Sequence, residues 1–134
     1  MKNKRSFRVE RLDHLVLTVA SIEASIAFYE TVMGMMPVRF GVDNQRVALK
    51  FGEQKINLHE VGREFEPKAG RPTAGSGDLC FIVDDFASVA AHLRGCGIEI
   101  IDQGARNGAV GDIQSIYFRD PDNNLIEVSV YGQG

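Results

Sequence analysis

Apolar and polar positions along the chain fall into short alternating runs, broken twice by stretches of helical spacing. In the first half Ile22, Ile26, Tyr29 and Met33 recur with the period of a helix face, with Ser21 placed to cap its start and Gly34 to end it. In the second half Phe86, Val89, Ala90 and Leu93 do the same behind the cap candidate Asp85, and the run stops at Gly95 or Gly97. One strand-like run precedes each helix and three follow it: 37–42, 45–51 and 54–61 after the first, 98–102, 113–119 and 123–131 after the second. Gly52-Glu53 and Asp120-Pro121-Asp122-Asn123-Asn124 carry turn chemistry between the last two strands of each half.

The two halves repeat one another. Laying His14-Leu15-Val16-Leu17-Thr18-Val19 over Asp78-Leu79-Cys80-Phe81-Ile82-Val83 aligns two strands, and without a gap Ile22, Ile26 and Tyr29 fall on Phe86, Ala90 and Leu93. The pattern predicts an α+β fold of two paired βαβββ modules, residues 10–61 and 77–131, within a single domain over 10–131. Residues 1–9 read as a solvated N-terminal tail and 62–76 as the linker between modules. Residues 103–112 read as a Gly-rich loop that either covers a site or simply connects two strands.

Strand side chains alternate between faces, so each strand separates into two columns. One is apolar: Leu15, Leu17 and Val19; Ile56 and Leu58; Leu79, Phe81 and Val83; Ile126, Val128 and Val130. The two helices are expected to cover it. The other column holds the ionisable groups, with His14 and Asp78 at the start of each module's first strand and His59 and Glu127 expected at corresponding places in each last strand. A pseudo-twofold pairing of the modules would bring these four together as a metal-site constellation. Two imidazoles and two carboxylates suit nickel, cobalt, zinc, manganese or iron rather than an iron–sulfur cluster or calcium. Asp78 serves equally well as a ligand, as a group that orients a ligating histidine, or as an acceptor for backbone amides. His92 lies off the apolar face of its helix and reads as surface.

Composition narrows the function classes. In 134 residues, 44% hydrophobic and 25% charged side chains predict a globular domain with a real core, and no apolar run approaches the length of a membrane-spanning helix. A net charge of −3 with basic residues gathered only at Lys2, Lys4, Arg5, Arg8 and Arg11 argues against nucleic acid as a partner. That basic stretch is followed by no apolar signal-peptide core, and Cys80 and Cys96 form no paired motif, so the expectation is a cytoplasmic protein with free thiols. Cys80 reads as a small buried hydrophobe.

Several stretches resemble the vicinal-oxygen-chelate superfamily of glyoxalases, bleomycin resistance proteins and extradiol dioxygenases: Leu12-Asp13-His14-Leu15-Val16-Leu17-Thr18-Val19, the helix with Phe28-Tyr29, Asn57-Leu58-His59-Glu60, and above all Phe118-Arg119-Asp120-Pro121-Asp122-Asn123-Asn124-Leu125-Ile126-Glu127. Within it, Ile56-Asn57-Leu58-His59-Glu60-Val61 and Gly75-Ser76-Gly77-Asp78-Leu79-Cys80 are similar to the glyoxalase-domain-containing protein 5 type, described as lactoylglutathione-lyase-like. The resemblance implies a cupped eight-stranded mixed sheet with helices outside, a divalent metal, a small-molecule substrate and a homodimer. By position it implies His14 and Glu127 as metal ligands, with His59 and Asp78 completing the set in exchanged types, and Glu127 or an unligated His59 as base. The implied activity is a metal-dependent, glyoxalase I-like lyase or isomerase. The alternatives are an extradiol-type dioxygenase using His14, His59 and Glu127, and a non-catalytic resistance protein that binds a small molecule in the same cleft. For an anionic conjugate, Arg39, Arg106 and Arg119 are the candidate cationic partners. The modules pair either within one chain or across two.

Overall fold

Both βαβββ units form, with the strand expected at 98–102 lying instead at 102–107. The computed structural model describes residues 5–132; the tail residues 1–4, with Lys2 and Lys4, lie outside the described residues. Residues 5–13 are exposed and carry neither helix nor strand. The first module comprises β1 (His14–Val19), α1 (Ile22–Met33), β2 (Met36–Phe40), β3 (Arg46–Phe51) and β4 (Gln54–Glu60). The second comprises β5 (Asp78–Ile82), α2 (Val89–Gly95), β6 (Asp102–Asn107), β7 (Asp112–Arg119) and β8 (Leu125–Tyr131).

The eight strands form two four-stranded mixed sheets of identical topology, β1-β4-β3-β2 and β5-β8-β7-β6. In each, the module's first strand runs parallel to its last, and the last three strands are antiparallel. β1 and β5 are therefore edges whose outer sides make no ladder. The apolar columns meet beneath the helices in one core, where Leu17, Val19, Ile56 and Leu58 of the first sheet join Ile116, Phe118, Ile126 and Val128 of the second around Tyr29, Val32 and Leu93. Each such side chain contributes about 1.5–3 kcal/mol by leaving water.

Local chemistry sets the helix ends. Ser21 Oγ accepts from the Ala24 amide at 3.1 Å, and Gly34 closes α1 in the left-handed conformation with φ of 68°. At the second helix Asp85 Oδ2 accepts from Ser88 Oγ at 2.7 Å instead of capping a backbone amide, and α2 proper starts at Val89 after a single 3-10 turn. The expected loop at 103–112 is corrected by β6, which runs through Gly104 because β7 supplies a complete ladder opposite it, and pairing overrides the weak strand propensity of glycine. One further expectation changes: Cys80 is exposed, on the face of β5 that points away from the core. His92 is exposed, as expected of a surface residue, and its Nε2 donates to the Val32 carbonyl at 2.9 Å, tying α2 to the end of α1.

The Asp120–Asn124 turn holds the modules together. Asp120 is buried and accepts from the Tyr29 hydroxyl at 2.6 Å, from the amides of Asp122 and Asn124 at 2.9 Å each, and from Asn124 Nδ2 at 2.8 Å. Asn124 Oδ1 in turn accepts from the Gly77 amide at 2.7 Å, and Asp122 Oδ1 from the Ala20 amide at 3.0 Å. One turn of the second module thus fixes α1, the end of β1 and the start of β5.

Candidate functional site

Strand register decides which side chains are equivalent. Val16 stands opposite Asn57 and Thr18 opposite His59 in the first module; Cys80 stands opposite Glu127 and Ile82 opposite Ser129 in the second. Counted from His14 and Asp78 at the strand starts, the place of Glu127 is repeated by Asn57, and that of Ser129 by His59. The expected correspondence of His59 with Glu127 is therefore corrected by two residues. Loops of unequal length separate the strands of each module, so sequence spacing alone does not carry the register.

The same register separates the predicted ligands. His59 lies four residues along the ladder from the partner of His14, about 13 Å at the rise of a strand. Within one chain β1 lies beside the start of β5. A Cβ built on Gly77 would come within 3.1 Å of the Leu17 side chain, and Thr18 and His59 share a cleft of about 660 Å³ with Asp78. His14 does not line that cleft. Among the described residues, no three His, Cys, Asp or Glu side chains of one chain stand close enough to hold an ion together.

His59 is engaged by the first module. It is only 3% exposed, its Nε2 lies 3.1 Å from Arg46 Nη2, and the Phe65 ring meets it edge-on with centroids 5.6 Å apart. A guanidinium only donates, so Nε2 is the acceptor and its lone pair is occupied. Burial, followed by the Arg46 charge, holds the imidazole below its ordinary pKa of 6.5. Arg46 itself is flanked by Phe40 and Phe65, 5.2 and 4.8 Å from its carbon to the ring centroids. The linker thus lies over this part of the sheet, with Pro67, Lys68 and Arg71 lining the cleft.

The other predicted residues present free donor atoms. His14 is exposed and its Nδ1 lies 2.8 Å from Asp13 Oδ2; this bond, the main cause, holds the Asp13 carboxyl below the usual carboxylate range. With Nδ1 donating to Asp13, Nε2 keeps its lone pair for a ligand, an arrangement typical of metal-binding histidines. Asp78 is exposed at the head of β5. Glu127 is half-buried, and its Oε2 accepts from Ser115 Oγ at 2.5 Å and lies 3.3 Å from Ser129 Oγ.

Asn57 is the site residue that a search for ionisable groups leaves out. It is 5% exposed, and its Oδ1 is buried without a hydrogen-bond partner. An orphaned acceptor costs free energy in a native interior, and this one occupies the repeat-equivalent of the Glu127 carboxylate. The signal lies in the parity of Asn57, which shares its column with His59 but carries an amide rather than an ionisable group. The arginines expected to meet an anion are engaged locally: Arg39 with Glu23 at 3.5 Å, Arg106 with Asp102 at 3.1 Å, and Arg119 with the Asn123 carbonyl at 3.3 Å.

Residues 11–128 match the family model of the Glyoxalase/Bleomycin resistance protein/Dioxygenase superfamily. Virulence protein STM3117 of Salmonella typhimurium is 53% identical over 125 residues, covering 92% of this chain and 85% of that one. Its crystal structure matches with a TM-score of 0.91 over 94% of this chain and 100% of that chain. Glyoxalase domain-containing protein RDO1 of Mycosarcoma maydis is 52% identical over 132 residues, 97% of this chain and 73% of its own. At 19% identity, the fosfomycin resistance protein FosX of Listeria monocytogenes, solved with Mn(II), shares the fold with a TM-score of 0.62 over 90% of each chain.

Proposed function

Because this chain belongs to the Glyoxalase/Bleomycin resistance protein/Dioxygenase superfamily, we propose that it is a metal-dependent, glyoxalase I-like lyase or isomerase whose site is shared between two copies. In this reading His14 and Asn57 of one copy meet Asp78 and Glu127 of a second, and the ion is divalent. The observation that carries it is the orphaned Asn57 Oδ1 at the repeat-equivalent of Glu127. Each module supplies a diagonal pair of neighbours on adjacent strands, and the unpaired edges of β1 and β5 leave room for a second copy to bring the strand starts together. Val16 and Ile82, 44% and 56% exposed on those same edges, are apolar surface that such pairing would cover.

The donor set fits a metal. It offers one imidazole nitrogen and three oxygens, and exchanging His59 for an amide oxygen moves it toward ions that favour oxygen, manganese first, with iron, cobalt, nickel and zinc behind. A divalent ion bound there supplies Lewis-acid polarisation of adjacent substrate oxygens. The protein's own part is to bind and to move a proton. Glu127 would be the base in this reading if it loosens from the ion, since His59 has its Nε2 committed to Arg46. That commitment also removes one histidine from the set a two-histidine dioxygenase site would need. The fitting substrate is a small molecule with neighbouring oxygens, such as the glutathione hemithioacetal of methylglyoxal.

Complementation tests the whole arrangement. His14→Ala and Glu127→Ala variants, each purified and titrated with manganese, cobalt, nickel, zinc and ferrous iron, are expected to bind no stoichiometric ion, while the wild type binds about one per chain. Mixed and allowed to exchange subunits, the two variants regain about a quarter of the sites, because each heterodimer rebuilds one intact set. Isomerisation of methylglyoxal with glutathione follows the metal content. No recovery on mixing would place the site within one chain, and a wild type that takes up no ion would defeat the metalloenzyme reading.

A further inference from the structure

We infer that Ser115 is a positioning residue for Glu127, backed by a chain of donors that runs from Cys80 through Ser129; the inference rests on the metal reading above. Ser115 and Ser129 face each other across the β7–β8 ladder, on the same side of the sheet as Glu127, and are 2% and 0% exposed. Two buried hydroxyls on a functional face need partners. Their distances supply them in series: Cys80 Sγ to Ser129 Oγ is 3.2 Å, Ser129 Oγ to Ser115 Oγ is 2.7 Å, and Ser115 Oγ to Glu127 Oε2 is 2.5 Å.

Each hydroxyl and thiol has a single hydrogen to give. Ser115 spends its hydrogen on the carboxylate, Ser129 has Ser115 Oγ at 2.7 Å and Glu127 Oε2 at 3.3 Å as acceptors for its own, and Cys80 is then left as the donor to Ser129. All three donors therefore point toward Glu127, and hydrogen bonds aligned in this way polarise and strengthen one another. The result fixes Oε2, which accepts from both serines. In the first module the places of Ser115 and Ser129 are taken by Arg46 and His59, which make no such chain to Asn57. The serine chain is thus specific to the module that carries the carboxylate.

Cobalt titration separates this from a merely structural role. For wild type, Ser115→Ala and Ser129→Ala, Co(II) affinity and the visible absorption of the bound ion are measured, with thermal unfolding of the metal-free proteins alongside. Ser115→Ala is expected to weaken Co(II) about tenfold and to alter the absorption bands, and Ser129→Ala to weaken it by a smaller factor. Wild-type affinity and spectrum in both variants overturn the positioning role while leaving the metal site standing. A loss of thermal stability with affinity unchanged overturns it too, by assigning the serines to packing alone. A wild type that binds no Co(II) and none of the other ions overturns the metal reading and the positioning role with it.

Discussion

The two modules share one frame and differ in what lies on it. Their topology and register superimpose strand for strand, yet the first module closes its face and the second leaves it open. Over the first, the linker brings Phe65 onto His59, Arg46 takes the imidazole lone pair, and Asn57 is left buried with an unsatisfied oxygen. On the second, Cys80 and Asp78 are exposed and the half-buried Glu127 is held by Ser115 and Ser129. A duplicated βαβββ unit keeps its hydrogen-bond ladder because the core demands it. The outward column is under no such demand and diverges in chemistry and cover.

The hairpin turns divide in the same way, and there the largest effect is expected. Gly52-Glu53 simply joins β3 to β4, whereas Asp120 gathers four hydrogen bonds and carries the second module's turn onto α1 of the first. Asp120→Ala would leave a buried hydroxyl, a side-chain amide and two backbone amides without their acceptor, a loss of about 3 kcal/mol. Glu53→Ala, exposed at its turn, is expected to stay within about 0.5 kcal/mol of wild type. Urea unfolding of both variants checks the contrast; equal effects would mean that the second turn is no more of an anchor than the first.

That turn also shows what was legible in the sequence. The Asp-Pro-Asp-x-Asn run was the most distinctive motif of the chain, and it proves to be scaffold, with its carboxylates turned to backbone amides and to Tyr29. Helix caps, strand parity and the duplication were readable because each depends on neighbours close in sequence. The equivalence of Asn57 with Glu127 was not, because it is set by pairing between β1 and β4 across the intervening α1, β2 and β3. The capture of His59 by Arg46 was hidden for a related reason: the two residues stand opposite each other only once β3 and β4 are in register. The apolar run around Cys80 suggests burial, but its parity puts it on the outward column, where it is exposed.

A middle-sized effect sharpens the comparison of the two faces directly. Asn57→Asp would give the first module the same type of donor that Glu127 gives the second. In the metal reading this variant gains affinity for manganese by about tenfold, since a charged oxygen replaces a neutral one. Without metal it loses stability, because a carboxylate with no partner is buried there. Titration calorimetry and thermal unfolding with and without manganese measure both signs in one preparation. An affinity that does not rise would remove Asn57 from the site.

The smallest effect concerns the bond that links the modules, and it is visible only in alkali. The Tyr29 hydroxyl is fully enclosed and donates to Asp120; burial, then that bond and the charge behind it, push its pKa well above the ordinary value of 10. In the unfolded chain the phenol ionises near 10, while in the folded chain it stays protonated. Above that pH the unfolded state binds fewer protons than the native one, so stability is complete below pH 10 and falls as pH rises beyond it. Tyr29→Phe removes both the bond and the titration. It is expected to cost about 1 kcal/mol at neutral pH and to flatten the alkaline decline, so that the two proteins converge as pH climbs. Urea midpoints from pH 8 to 11 would follow the convergence, at about one-unit steps. Parallel curves would show that the phenol does not govern the alkaline limb and that Asp120 holds the modules without it.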